Sequence, residues 1–250
     1  MEKLIFQSSK SELLHHDNGD VLPKIPFHER LARLNEIKNR GKEKKAGRIH
    51  DHAAKKSLIT RDVCIATSLI TKYAKCGMHE KALEIFNQLP VRNTVTWNAL
   101  LCGYAQNGLG EEALRCFKQM EQEGYLPNVV TLVSALKACS SIGAIHEGQK
   151  MHMEIEKVGL LDDNQDVGTT LVDMYVKCGL LLTALKVFDK LTVCSVVPWT
   201  AIISGYVKYG YDMEALKLYQ KMQVERISPN TVTYIFVLRA CSRTGAVQKG

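Results

Sequence analysis

Residues 94–128 read TVTWNALLCGYAQNGLGEEALRCFKQMEQEGYLPN, and the same grammar returns at 196–230 as VVPWTAIISGYVKYGYDMEALKLYQKMQVERISPN. In the first of these, Trp97, Ala99, Leu100, Leu101 and Tyr104 follow the three- and four-residue spacing of one helix face. Gly108 punctuates a turn, and Ala113, Leu114, Phe117 and Met120 form the apolar face of a second helix. Gly124 and Pro127 then stop it. The spacing predicts a helical hairpin of 35 residues. Its apolar face is too broad to bury alone, so neighbouring hairpins must stack on it.

Working outward, residues 102 apart match along most of the chain. Thr67, Tyr73, Lys75, Cys76, Gly77 and Phe86 recur as Thr169, Tyr175, Lys177, Cys178, Gly179 and Phe188. Trp97, Tyr104, Gly108, Met120 and Asn128 recur as Trp199, Tyr206, Gly210, Met222 and Asn230, and Cys139 and Gly143 as Cys241 and Gly245. A fixed offset of this kind means a repeat array. The unit boundaries fall at 63–93, 94–128, 129–164, 165–195, 196–230 and 231 onward, so three unequal hairpins of 36, 31 and 35 residues make one large period. Upstream, 27–62 reads as a degenerate unit, in which Gly41 and His50 align with Gly143 and His152. Residues 1–26 read as a poorly structured segment, and the KNRGKEKKAGR run as a solvated helix end. The last unit stops at Gly250, at the expected start of its second helix, so the chain reads as truncated.

Composition narrows the function classes. Apolar residues make up 46% of the 250, ample for a core. Of the net charge of +7, residues 1–62 carry +5, with 14 Lys and Arg against 9 Asp and Glu. The array itself is close to neutral, so a polyanion would have to be gripped by placed charges rather than by a general field. Cys76/Cys178 and Cys139/Cys241 are repeat-equivalent, about one period apart and too far to bond to each other. The cysteines are therefore expected to be buried free thiols. No apolar run reaches the roughly 18 residues of a membrane helix. The first 20 residues hold four acidic residues and no Arg, unlike a transit peptide.

These motifs resemble the plant-type pentatricopeptide repeat proteins, in their P, L and S arrangement. The S-like units read DVCIATSLITKYAKCG (62–77) and DVGTTLVDMYVKCG (166–179), the L-like unit VTLVSALKACSSIGAIHEGQKMH (130–152), and the P-like units are the two stretches quoted first. By this resemblance 27–62 is a degenerate L repeat, 63–93 S, 94–128 P, 129–164 L, 165–195 S, 196–230 P and 231–250 a partial L repeat. The resemblance implies an all-α fold, a right-handed α-α superhelix (solenoid) of helix-turn-helix repeats. It also implies a monomer that binds single-stranded RNA one base per repeat, in a mitochondrion or plastid. The role implied is in RNA modification such as C-to-U editing, beside separate editing or processing proteins.

A one-base reader needs a short polar side chain at a fixed place on each inner helix. The fifth residues are Thr67, Asn98, Val133, Thr169, Thr200 and Ile235, and the last residues are Asn93, Asn128, Asn164, Ser195 and Asn230. By resemblance, Thr with Asn favours adenine and Asn with Asn a pyrimidine, which gives a core of 5′-A-Y-n-r-A-3′. The same Asn and Thr residues also suit helix capping. Second residues Val95, Val130, Val197 and Val232 correspond to the family's base wedge; Cys64 and Asp166 depart from it. Thirteenth residues Lys75, Lys177 and Lys208 correspond to phosphate contacts.

Catalytic signatures are missing. His152-Met153-Glu154 matches H-x-E of a zinc deaminase, but no C-x-x-C occurs and His152 occupies the place of His50 upstream. The His50/His52 pair lacks metal-ligand company. No phosphate loop, nucleophile elbow or triad is present, so no cofactor, no metal and no enzyme activity are expected. The cysteines of YAKCG and YVKCG read as packing residues, and Trp97 and Trp199 as repeat-equivalent core or groove residues, for packing rather than base stacking. A protein-binding scaffold of the tetratricopeptide type shares the hairpin architecture and is the competing function. A third possibility is a fragment of an enzyme whose catalytic extension lies past Gly250.

Overall fold

The computed structural model describes residues 62–191 and 195–245. The segment 1–26, most of the degenerate unit, the basic run, His50, His52 and the second helix of the last unit lie outside the described residues.

Helices form hairpins in chain order. They are α1 (Val63–Lys75) with α2 (His79–Gln88), α3 (Thr94–Gln106) with α4 (Gly110–Gln122), and α5 (Val129–Ile142) with α6 (Ile145–Lys157). After a four-residue helical turn, α7 (Leu160–Asp163), come α8 (Gln165–Lys177) with α9 (Leu181–Lys190), α10 (Val196–Lys208) with α11 (Asp212–Val224), and α12 (Thr231–Thr244). The first helices, α1, α3, α5, α8, α10 and α12, stack on one another in order. Each second helix packs on its own partner and on the first helix of the next hairpin. Among the described residues the fold is all-α, a solenoid with no strand.

Local sequence explains each joint. Tyr104 and Leu109 flank the turn of the hairpin at 94–128, where the Leu109 N–H donates to the Tyr104 carbonyl at 3.0 Å around Gly108 at φ +76°. The same closure recurs 102 residues on, with the Tyr211 N–H to the Tyr206 carbonyl at 2.8 Å around Gly210 at φ +84°. Only glycine enters that left-handed region without strain, and the bond satisfies a helix-end carbonyl.

Packing repeats with the same period. Trp97 of α3 meets Phe86 of the preceding hairpin edge-on, with ring centroids 4.5 Å apart, and Trp199 of α10 meets Phe188 at 4.6 Å. Both tryptophans are fully buried, so they pack the joint between hairpins and are not groove residues. Such an aromatic pair is worth about 0.5–1.5 kcal/mol beyond its burial. The predicted face of α4 is also buried, through Ala113, Leu114, Phe117 and Met120. Gly103 lets α3 approach α1, where an added Cβ would run into the Ala74 methyl. A chain of half-exposed ion pairs then joins successive second helices: Lys118 to Glu147 at 3.5 Å, Lys190 to Glu156 at 2.6 Å and Lys221 to Asp189 at 3.2 Å.

The cysteines depart in part from the expected burial. Cys116, Cys139 and Cys241 are buried, but Cys76, Cys102 and Cys178 are half-buried and Cys64 is exposed. Cys64 occupies the second residue of α1, in the exposed register, and Cys76 and Cys178 are the residues that cap their helices at the C-terminal end.

Candidate nucleic-acid interface

The first helices present their N-terminal ends in register, and a polar network organises them. Asn128 precedes α5, and its Oδ1 accepts from the Thr131 N–H at 3.1 Å while the Thr131 hydroxyl accepts from the Asn128 N–H at 3.1 Å. This reciprocal cap is worth about 1 kcal/mol. Asn98, at the fifth position of α3, joins it. Its Nδ2 donates to Asn128 Oδ1 at 3.1 Å, and the Thr131 hydroxyl donates to Asn98 Oδ1 at 2.6 Å. Asn98 is only 8% exposed, whereas Asn128 is open to solvent. The fifth and last residues of the unit at 94–128 thus share one hydrogen-bond system, and capping and pairing coexist in the same side chain.

The unit at 196–230 brings its pair together less directly. Thr200 Oγ1 lies 2.8 Å from Thr233 Oγ1, which donates to Asn230 Oδ1 at 3.0 Å, and Asn230 caps α12. Thr200 also bonds the Val196 carbonyl at 2.9 Å. In the unit at 63–93, Asn93 caps α3 through the Thr96 N–H at 2.9 Å, while Thr67 turns back to the Val63 carbonyl at 2.7 Å. Thr169 and Ser195 are both half-buried and share no such link among the described residues. Ser195 caps nothing through its side chain, and the residue three places on is Pro198, which has no N–H to donate to it. Asn164 does cap α8, through the N–H groups of Asp166 and Val167.

Thr96, Thr131 and Thr233 are the residues the sequence reading missed. All three are fully buried and clamp the asparagine that starts each helix. The legible signal was N-x-x-T at 93–96, 128–131 and 230–233, a capping box with Thr in place of Glu.

The four second-position valines face outward beside this network: Val95 is 61% exposed, Val130 51%, Val197 56% and Val232 48%. An apolar side chain left that open on a helix whose neighbours are buried contributes little to the core and is available to a ligand. Cys64 and Asp166 are exposed at the same register. At the other end of the first helices Lys75, Lys177 and Lys208 are exposed. Lys177 is held by Asp173 at 2.7 Å, one turn back, whereas Lys208 lies 5.5 Å over the Tyr209 ring.

Of the H-x-E residues, His152 packs against its neighbours and Glu154 lies in an exposed ion pair. His152 Nδ1 is 2.9 Å from the Tyr175 hydroxyl and its ring lies edge-on to the Tyr175 ring, centroids 5.5 Å apart. Burial pushes the imidazole below its ordinary pKa, opposed by the Glu156 carboxylate at 3.4 Å. Glu154 instead pairs with Lys157 at 3.1 Å. Burial also pushes the Cys116 and Cys139 thiols up to about 12, which keeps them protonated and unreactive.

Comparison with known proteins bears on the repeats directly. The chain matches the model of the PPR repeat family at residues 92–141 and 194–243, and the PPR repeat at 65–93 and 169–196. It is 42% identical over 189 residues to a pentatricopeptide repeat-containing protein of Arabidopsis thaliana, covering 76% of this chain and 32% of that one. A chloroplastic pentatricopeptide repeat-containing protein of the same plant is 37% identical, covering 78% and 31%. A mitochondrial one is 33% identical, covering 81% and 36%. The chain therefore spans about a third of the length of these relatives. Among solved structures, it superimposes on the pentatricopeptide repeat protein PPR10 in complex with an 18-nucleotide psaJ RNA element. The TM-score is 0.72 at 19% identity, over 84% of this chain and 31% of that one.

Proposed function

Because the chain belongs to the pentatricopeptide repeat family, we propose that it binds single-stranded RNA sequence-specifically, one base per repeat. The observation that carries this is the Asn98–Asn128–Thr131 network, set beside exposed valines at the start of four of the six first helices, α3, α5, α10 and α12. Asn128 offers an exposed NH₂ donor edge, its Oδ1 being engaged by Asn98 and Thr131, and Asn98 orients it. The valines supply apolar faces against which unstacked bases lie. Lys75, Lys177 and Lys208 supply the phosphate contacts, with Lys177 leaving Asp173 to do so.

In this function 63–93 and 165–195 act as S units, 94–128 and 196–230 as P units, and 129–164 as an L unit. The core read is 5′-A-Y-n-r-A-3′. The chain itself is no catalyst: it positions a separate RNA-processing or editing activity, such as C-to-U editing, in a mitochondrion or plastid. PPR10, the structural neighbour, is in complex with RNA, and relatives carry both organellar names, which supports this assignment.

Selection from randomised RNA tests it. Thr200→Asn moves preference at the final base from adenine toward a pyrimidine and leaves the other positions alone. An unchanged final base would refute the register. Equal affinity for single-stranded RNA, duplex RNA and DNA, or none for all three, would instead favour the protein-binding scaffold.

A further inference from the structure

The 102-residue period supplies an internal control. Residues the fold requires recur in both copies, so an exposed position that changes class between copies is not held by the fold and is open to another role. On the second helices of the first copy, Glu80 and Glu84 of α2 and Glu111 and Arg115 of α4 are exposed. Their equivalents 102 residues on are Leu182 and Lys186 of α9 and Met213 and Lys217 of α11, also exposed; the first three change class, and Arg115 to Lys217 keeps a cation. Leu182 is 75% exposed and Met213 55%. A spacing of four residues sets each apolar side chain beside its lysine on one helix face.

The two helices are neighbours. Lys221 of α11 bonds Asp189 of α9 at 3.2 Å, and in the turns before them the Tyr209 hydroxyl donates to the Lys177 carbonyl at 3.3 Å. Lys190 and Lys221 are neutralised by carboxylates, but Lys186 and Lys217 have no ion-pair partner among the described residues. Charge follows the same asymmetry. Residues 63–148 hold seven Lys and Arg against seven Asp and Glu, and the equivalent 165–250 hold ten against six.

We propose that this face of α9 and α11 docks an acidic amphipathic helix of a partner protein. Its apolar residues cover Leu182 and Met213, and its carboxylates meet Lys186 and Lys217. RNA is a poor occupant, because the face lies on the second helices, away from the valine row. A lipid surface is a poor one too, because two apolar side chains on two short helices give little area to insert.

The test is anisotropy titration of the full chain with a fluorescein-labelled helical peptide carrying leucines on one face flanked by glutamates. The triple variant L182E/K186E/M213E installs the residues the first copy already carries at the equivalent places, so the fold tolerates them; an unchanged melting temperature checks this. Binding weakens by at least about tenfold in the variant. The reverse variant E80L/E84K/E111M raises the stoichiometry by a second peptide. Several results would overturn the proposal: no binding by the native chain, undiminished binding by the triple variant, or preference for anionic phosphatidylserine vesicles over the peptide. Self-association that the triple variant abolishes would do the same, by making a second copy the occupant.

Discussion

Asn98 and Asn128, 30 residues apart, are joined by a hydrogen bond of 3.1 Å from the carboxamide of the first to that of the second. Asn128 spends one oxygen on three donors: Asn98, the Thr131 N–H and, alternatively, the Thr131 hydroxyl. Its NH₂ group makes no protein hydrogen bond among the described residues, so the donor edge is the one left for a base.

Asn128→Ser separates the two duties of this residue. Serine caps a helix about as well as asparagine, but the nearly enclosed Asn98 loses the acceptor of its Nδ2, so stability falls by about 1–3 kcal/mol from that bond and not from the cap. The carboxamide edge is lost, and selection from randomised RNA then shows weakened preference at the pyrimidine position alone. A uniform loss of affinity across all positions would mean that Asn128 only caps.

Lys208→Ala removes a cation that no carboxylate neutralises among the described residues. Plotted against the logarithm of salt concentration, the slope of the logarithm of RNA affinity falls by about 0.7, the value for one contact to a single strand. Base preference is unchanged. An unaltered slope would place Lys208 away from the phosphates.

Gly103→Ala forces a methyl group against Ala74 across the α1–α3 contact. Urea denaturation records a loss of about 1–3 kcal/mol, the range for overpacking a tight joint. Adding Ala74→Gly restores part of it, because the two positions share the contact and their effects are not additive.

His152 makes stability depend on pH. Burial lowers its folded pKa below the unfolded value near 6.5, so below that pH the unfolded chain binds the proton first. Stability is therefore full above about pH 6.5 and declines as the pH falls toward the folded pKa. Tyr175, Glu156 and Lys190 face the ring; Glu156 opposes the shift and Lys190 adds to it. His152→Gln flattens the fall in melting temperature between pH 7 and 5.5 relative to the native chain, and parallel curves would show that another group is responsible.

Much of the fold was legible because helix periodicity and glycine turns are local. Trp97, Tyr104 and Gly108 lie within one hairpin, and their 102-residue repeat exposes the solenoid without any long-range contact being known. The site was half legible. Candidate polar positions could be named from the family's pattern, but not their geometry: Asn98 is nearly enclosed, Thr67 turns back on its own helix, and Thr169 and Ser195 do not meet. The Thr131 clamp was visible as a spacing and missed as a function.

What the sequence determined by itself was the repeating hairpin, the placing of asparagine before α3, α5, α8 and α12, and the alternation of polar and apolar residues along the first helices. These depend on backbone sterics and on side chains within about one turn of each other. The tertiary structure alone decided which asparagine bonds which, and that Leu182 and Met213 lie exposed on neighbouring helices. Those outcomes depend on how one hairpin seats against the next. At the junction that joins Asn98 to Asn128, that seating rests on the close approach of α4 to α5 at Gly110, where an added Cβ would run into Ser141 and Ile142, and it places side chains 30 residues apart within a single hydrogen bond.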